Sequence, residues 1–256
     1  MTTVGSSGSY SRSCVERGRA EMLSKIRDLL PDELVGRIDF YRFAERRLTW
    51  GGPFNGQAGR RAIFDALMSA VDPGFILETG TYVGTTTELL AESGLPIVTV
   101  ESNARNYGFA RERLRRFRNV QLRLGDSRTE TLRALDLYST ALEARPLFAY
   151  LDAHWNEDLP LAEELDVVFA HCPNAVVMVD DFRVPDDPGY GYDDYGPGKA
   201  LDQSYVAPAF DAYRLAVLYP VLPSAEETGQ RRGCAVLANE ADWAEPLLAT
   251  GLLRRG

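Results

Sequence analysis

Short apolar runs alternate with amphipathic stretches through the middle of the chain. The runs are FILET (75–79), PIVTVE (96–101), VQLRL (120–124), LFAYLD (147–152) and AVVMVD (175–180). Between them lie stretches of helical period at 85–93, 104–117, 128–142 and 159–170. A strand and a helix repeating about every 25 residues is the pattern of a parallel α/β sheet. Strands covered on both faces read as unbroken apolar runs rather than alternating ones, and these do. Upstream, 15–47 is helical in pattern with a break at Pro31, and places Leu34, Ile38, Tyr41 and Phe43 or Ala44 near one face. A Gly- and Pro-rich loop covers 49–59 and a further helix 60–71.

After Asp181 the alternation stops. Residues 183–205 are rich in Gly, Pro, Tyr and Asp, and so long a loop inside a compact domain is usually functional. Two more strands are predicted at 213–220 and 233–239. The expected organisation is a disordered Ser/Gly tail (1–14), an N-terminal helical segment (15–71) and one α/β domain (72–256). Its expected fold is a Rossmann-like, mostly parallel seven-stranded sheet flanked by helices.

Composition adds exclusions. The 256 residues are 45% hydrophobic and 25% charged, with net charge −9. An acidic chain has no general attraction for phosphate backbones or anionic lipid, so neither nucleic acid nor membrane is expected as partner. The basic run 111–118 alternates with Leu114 and Phe117 and reads as a solvated helix face. Cys14, Cys172 and Cys234 have neither zinc-like nor disulfide-like spacing, and a reducing cytoplasm is expected. The start carries no signal-like apolar region, and no apolar run is long enough to span a bilayer.

In an open parallel sheet, ligands bind at the carboxyl ends of the strands. There the strands end on ETGTYVGTTT (78–87), Glu101, Gly125-Asp126-Ser127, Asp152-Ala153-His154-Trp155, and Asp180-Asp181. Gly80 and Gly84 permit a tight turn and a close approach of backbone to a ligand. Their GxxxG spacing differs from the GxGxxG of a dinucleotide site. Glu101 is placed to accept from both hydroxyls of a ribose. Paired carboxylates at the end of a buried strand repel each other and resist desolvation, and three converging with Asp152, as the resemblance below implies, would need a cation to neutralise them. Oxygen ligands of this kind favour Mg²⁺ or a similar ion. The alternative is that Asp180 and Asp181 cap the next element and Asp152 is a surface turn residue.

The stretch Glu78-x-Gly80-x-Tyr82-x-Gly84 resembles motif I of class I S-adenosylmethionine-dependent methyltransferases. It is closest to the form found in catechol and caffeoyl-coenzyme-A O-methyltransferases. The resemblance covers about residues 75 to 182 and implies a transferase that takes S-adenosylmethionine as methyl donor. It implies cofactor contacts from Glu78, Gly80, Tyr82, Gly84, Thr85, Glu101, Ser102, Asp126, Ser127 and Asp152. YLDAHW and VMVDDF resemble the metal-binding segments of those enzymes, which implies Asp152, Asp180 and Asp181 as ligands of Mg²⁺ or a similar cation. The metal would hold a hydroxyl of a small-molecule acceptor, in a phenol, sugar or natural product. Asp180→Ala is expected to remove most activity and leave the fold intact.

His154, at the same edge, is a candidate general base, catalytic together with Asp152, or else a residue that satisfies a neighbouring carboxylate. The lysine that catechol enzymes carry just after the metal aspartate has no counterpart here. Trp155, Tyr190, Tyr192 and Tyr195 either shape the acceptor pocket or pack the loop onto the sheet. A homodimer or larger homo-oligomer is compatible with this reading. Competing readings are a metal-independent N- or carboxyl-methyltransferase, a non-catalytic S-adenosylmethionine-binding protein, and a nucleotide-dependent oxidoreductase, against which the GxxxG spacing argues.

Overall fold

The structure, a computed structural model, describes residues 29–154 and 158–256. The expected tail (1–14), the start of the N-terminal helical pattern and Trp155 lie outside these residues. The five predicted runs form strands β1 (Phe75–Thr79), β2 (Ile97–Glu101), β3 (Val120–Leu124), β4 (Leu147–Leu151) and β5 (Val176–Asp180). β6 (Leu215–Pro220) and β7 (Cys234–Asn239) follow, with an unforeseen short eighth strand, β8 (Leu253–Arg255).

The sheet order is β3-β2-β1-β4-β5-β7-β6-β8. β1 to β5 pair in parallel, whereas β7 runs antiparallel to both β5 and β6, and β8 antiparallel to β6. This is a Rossmann-like doubly wound sheet with an antiparallel edge. β8 escaped prediction because three residues, two of them arginine, carry no period.

The helices are α1 (Asp32–Arg42), α2 (Ala58–Val71), α3 (Thr85–Ala91), α4 (Ala104–Leu114), α5 (Ser127–Leu137), α6 (Ser139–Ala144), α7 (Leu161–His171), α8 (Gln203–Tyr213) and α9 (Glu240–Leu248). α8 and α9 were not expected; each contains a proline that masks its pattern. Local chemistry sets several of the starts. Asn103, Asp126, Asp202 and Asn239 cap α4, α5, α8 and α9, each accepting from backbone N–H groups of the first turn.

Both sheet faces are buried, which explains the unbroken apolar runs. Leu77, Val98, Leu151 and Val177 pack on one face against α5 and α7. Ile76, Ile97, Phe148 and Met178 pack on the other with Ile63, Phe64 and Leu67 of α2. Fully burying one such side chain contributes roughly 1.5–3 kcal/mol. β3, at the edge, is only partly buried, as its Gln121 and Arg123 require.

One expectation is corrected. The stripe Leu34, Ile38 and Tyr41 of α1 faces solvent, and the helix instead buries Val35, Gly36 and Asp39. The reason is a glycine-to-glycine crossing. A Cβ on Gly36 would fall on the carbonyl oxygen of Arg105, and one on Gly108 on that of Glu33. Only glycine lets α1 and α4 approach so closely, and Asp39 then pairs with Arg105 and Arg46.

Gly108→Ala tests this crossing. Alanine gains about 1 kcal/mol of helix propensity over glycine. Overpacking costs about 1–3 kcal/mol. The expected result is net destabilisation in denaturant unfolding; a more stable variant would refute the crossing.

Candidate functional site

The chain leaves β1 for β2 and β3 on one side, then returns to place β4 on the other side of β1. The loops after β1 and β4 therefore diverge over a crevice, the place where doubly wound sheets bind ligands. They touch at one point. Gly80 has φ +82, and a Cβ there would fall on the Asp152 carbonyl oxygen. Asp152 N–H in turn donates to Thr79 O at 3.0 Å. A cavity of about 750 Å³ opens above this contact.

One end of the cavity gathers residues from the ends of β1, β2 and β3. Gly80, Tyr82, Glu101, Ser102, Asp126 and Ser127 line it. Glu101 closes β2 and accepts from Tyr82 N–H at 2.6 Å and Asn103 N–H at 2.7 Å. Burial lifts its pKa to about 6 although these backbone donors oppose the shift. Asp126 caps α5 through Arg128 N–H. Of the expected cofactor residues, Glu78, Gly84 and Thr85 do not line the cavity. Glu78 is 1% exposed and accepts from Thr87 and Thr99 hydroxyls at 2.5 and 2.6 Å beneath the loop.

Acidic residues line the other end. Asp152, His154 and Asp181 bring one ligand atom each to within 4.8 Å of one another. His154 Nε2 is buried without a hydrogen-bond partner. It lies 3.7 Å from Asp152 Oδ1, 3.9 Å from Asp181 Oδ2 and 3.8 Å from Asp193 Oδ2. Withdrawal from water, together with Asp180 and Asp181, pushes Asp152 well above the usual carboxylate range. Burial also works to raise Asp181, but His154 and Arg232 outweigh it and hold that group well below its ordinary value. An orphaned buried imidazole nitrogen among carboxylate oxygens fits a divalent cation.

Asp180 stands outside this group. It is 1% exposed, pairs with the buried Arg60, and accepts from Tyr150 OH at 2.5 Å and Asn55 Nδ2 at 3.3 Å. Burial works against the Arg60 charge, but Asp180 more than restores it. The expected Asp152/Asp180/Asp181 set thus meets as Asp152, His154 and Asp181, because Arg60 already neutralises Asp180.

The tyrosines divide. Tyr195 lines the cavity and donates to Asp193 Oδ2 at 2.5 Å. Tyr190 is buried, donates to Leu222 O at 2.9 Å and packs the loop onto the sheet. Tyr192 lies under the Arg183 guanidinium, outside the cavity lining. Sequence reasoning missed Trp50, Asn55, Asn103, Gln230 and Arg232, and reads Asp193, with the other loop aspartates, either as solvent-facing or as a support behind the ligands. None of these stands at a strand end, where the search was directed.

No family model and no curated protein matches the chain. Among solved structures it is similar to a candidate O-methyltransferase from Klebsiella pneumoniae at 19% identity, covering 86% of this chain and 96% of that one, with TM-score 0.49. An O-methyltransferase from Bacillus cereus in complex with S-adenosylhomocysteine matches at 16% identity, over 78% and 90% of the two chains, TM-score 0.45. A SAM-dependent methyltransferase from Aquifex aeolicus matches at 12% identity, over 81% and 97%, TM-score 0.43.

Two stability measurements test this description. Asp180→Asn strands the Arg60 charge, and loss of one buried partner costs about 3–5 kcal/mol. The fold should therefore suffer, contrary to the sequence expectation, and adding Arg60→Met should recover part of the loss. A variant as stable as wild type would refute the pairing. Glu78 titrates at about 7 in the fold, against 4.5 ordinarily, because burial penalises its charge. Below about 4.5 both states carry this proton; between about 4.5 and 7 the unfolded chain gives it up while the fold keeps it, so stability falls across that window and levels off above about 7. Glu78→Gln should match wild type at about pH 4 and exceed it at about pH 8, by up to about 3 kcal/mol in unfolding experiments. A difference independent of pH would refute the assignment.

Proposed function

We propose that the protein is an S-adenosylmethionine-dependent O-methyltransferase that uses a divalent cation and acts on a hydroxyl of a small molecule. The observation that carries this reading is the single cavity joining the Glu101 end to the Asp152, His154 and Asp181 end. The strand-end motifs of the sequence support the same donor.

In this reading Glu101 accepts from the ribose hydroxyls, and its two backbone donors hold it in place before the cofactor arrives. Gly80 lets the methionine portion lie against the β1 turn. Asp152, His154 and Asp181 hold the cation. When bound, such a cation lowers the pKa of an acceptor hydroxyl and orients its oxygen. The hydroxyl proton leaves to solvent in the open cavity, the methyl carbon passes from sulfur to the oxygen, and sulfur keeps the electron pair of the broken bond. Positioning of oxygen, carbon and sulfur in line supplies much of the rate. His154 acts here as a ligand rather than as the general base, since its free nitrogen faces the carboxylates. The metal-independent alternatives leave that orphaned nitrogen unexplained.

The test is calorimetry with S-adenosylhomocysteine, followed by methyl transfer from labelled S-adenosylmethionine to fractionated acceptors with and without EDTA. The product should bind without added metal, and Glu101→Ala should weaken it by about 1–3 kcal/mol. Turnover should stop on chelation and return with Mg²⁺. Binding of NADH in place of the sulfonium product would overturn the cofactor, and full turnover in EDTA would overturn the cation.

A further inference from the structure

The loop after β5 carries Asp193 into the same corner as Asp152, His154 and Asp181, and no strand-end motif accounts for it. Its backbone is fixed: Asp193 N–H donates to Asp181 O at 3.0 Å, and its carbonyl accepts from Leu201 N–H at 2.9 Å. Each of the two carboxylates then splits its oxygens. Asp181 gives Oδ1 to Arg232 Nε at 2.6 Å, and Asp193 gives Oδ1 to Arg232 Nη2. The two Oδ2 atoms are left on the side of His154 Nε2, at 3.9 and 3.8 Å. Tyr195 OH donates to Asp193 Oδ2, which leaves that oxygen a second lone pair.

Arg232 is itself held from behind. Its N–H donates to Gln57 Oε1 and its carbonyl accepts from Gln57 Nε2, both at 2.9 Å. Arg60 Nη2 donates to the same carbonyl. A guanidinium pinned at its backbone and forked between two carboxylates is a fixed jig, which the point charge of a lysine cannot reproduce.

We propose that Asp193 supplies a fourth ligand atom, the third oxygen, to the cation site from the loop, and that Arg232 is a positioning residue that turns Asp181 and Asp193 inward. This rests on the cation reading above. The acidic cluster alone would not carry it. The independent observation is His154, 5% exposed, whose buried and unpartnered Nε2 sits among the three inward oxygens. With all four carboxylates ionised, Asp152, Asp180, Asp181 and Asp193 set against Arg60 and Arg232 leave two formal negative charges, the complement of one divalent cation.

The experiment titrates the full chain with Mn²⁺ alone, reading affinity by calorimetry and coordination by electron paramagnetic resonance. Wild type should bind one ion with nitrogen coupling from an imidazole. Asp193→Asn and Arg232→Lys should each weaken binding about 10-fold or more, the usual effect of losing a ligand's support. Both should keep S-adenosylhomocysteine affinity and the near-ultraviolet circular dichroism of the wild type, which a merely structural role would not spare. Asp194→Asn, at the neighbouring loop carboxylate that accepts from Gly196 N–H, should leave Mn²⁺ affinity unchanged. Wild-type affinity and spectrum in Asp193→Asn and Arg232→Lys would overturn this inference and leave the cation reading standing. Tighter binding in Arg232→Gln would mean that Arg232 blocks the site, and would overturn the positioning role. Absence of Mn²⁺ binding in wild type would overturn both readings.

Discussion

Charge compensation in one corner of the sheet is the constraint on which the site depends. Asp152, Asp180, Asp181 and Asp193 gather near the carboxyl ends of β4 and β5, Asp180 buried and the other three partly withdrawn from water in the cavity wall. Like charges so placed repel, and burial strips hydration from Asp180 altogether and from the others in part. The chain answers with two arginines from distant segments. Arg60 neutralises Asp180 inside the protein, and Arg232 bridges Asp181 and Asp193 at the cavity wall. The charge that remains collects around Asp152 and His154.

The same pairing ties the fold to the cavity. Arg60 and Gln57 stand at the start of α2, before the first strand, and hold the backbone of Arg232 just ahead of β7. Gln230 N–H donates to Asn55 O at 3.0 Å beside them. Segments outside the alternating core therefore set the position of the acidic residues that the core presents. The segment bearing Asn55 is strained as well. Trp50, Phe54 and Asn55 all have positive φ, at a cost on the order of 1 kcal/mol each. Burial of Phe54 against Phe64 and Tyr150 contributes enough to hold it there.

The contact of Gly80 with Asp152 O joins the two ends of the cavity. A ligand held by Glu101 and an ion held by Asp152 would lie on either side of one backbone junction.

The alternating apolar runs determined β1 to β5 and the helices between them, and two further runs β6 and β7, because burial on two faces writes itself into local composition. The strand-end rule likewise placed Glu101, Asp126, Asp152 and Asp181 at one edge, since direction along a parallel strand needs no tertiary information. Local pattern could not say which face of α1 is buried, because that depends on two glycines 72 residues apart in sequence, Gly36 and Gly108. Nor could it separate Asp180 from Asp181, neighbours of the same type. Their fates diverge because one points to Arg60, 120 positions away, and the other to Arg232, 51 positions away. A charge finds its partner through topology, and only the folded chain brings those arginines within reach.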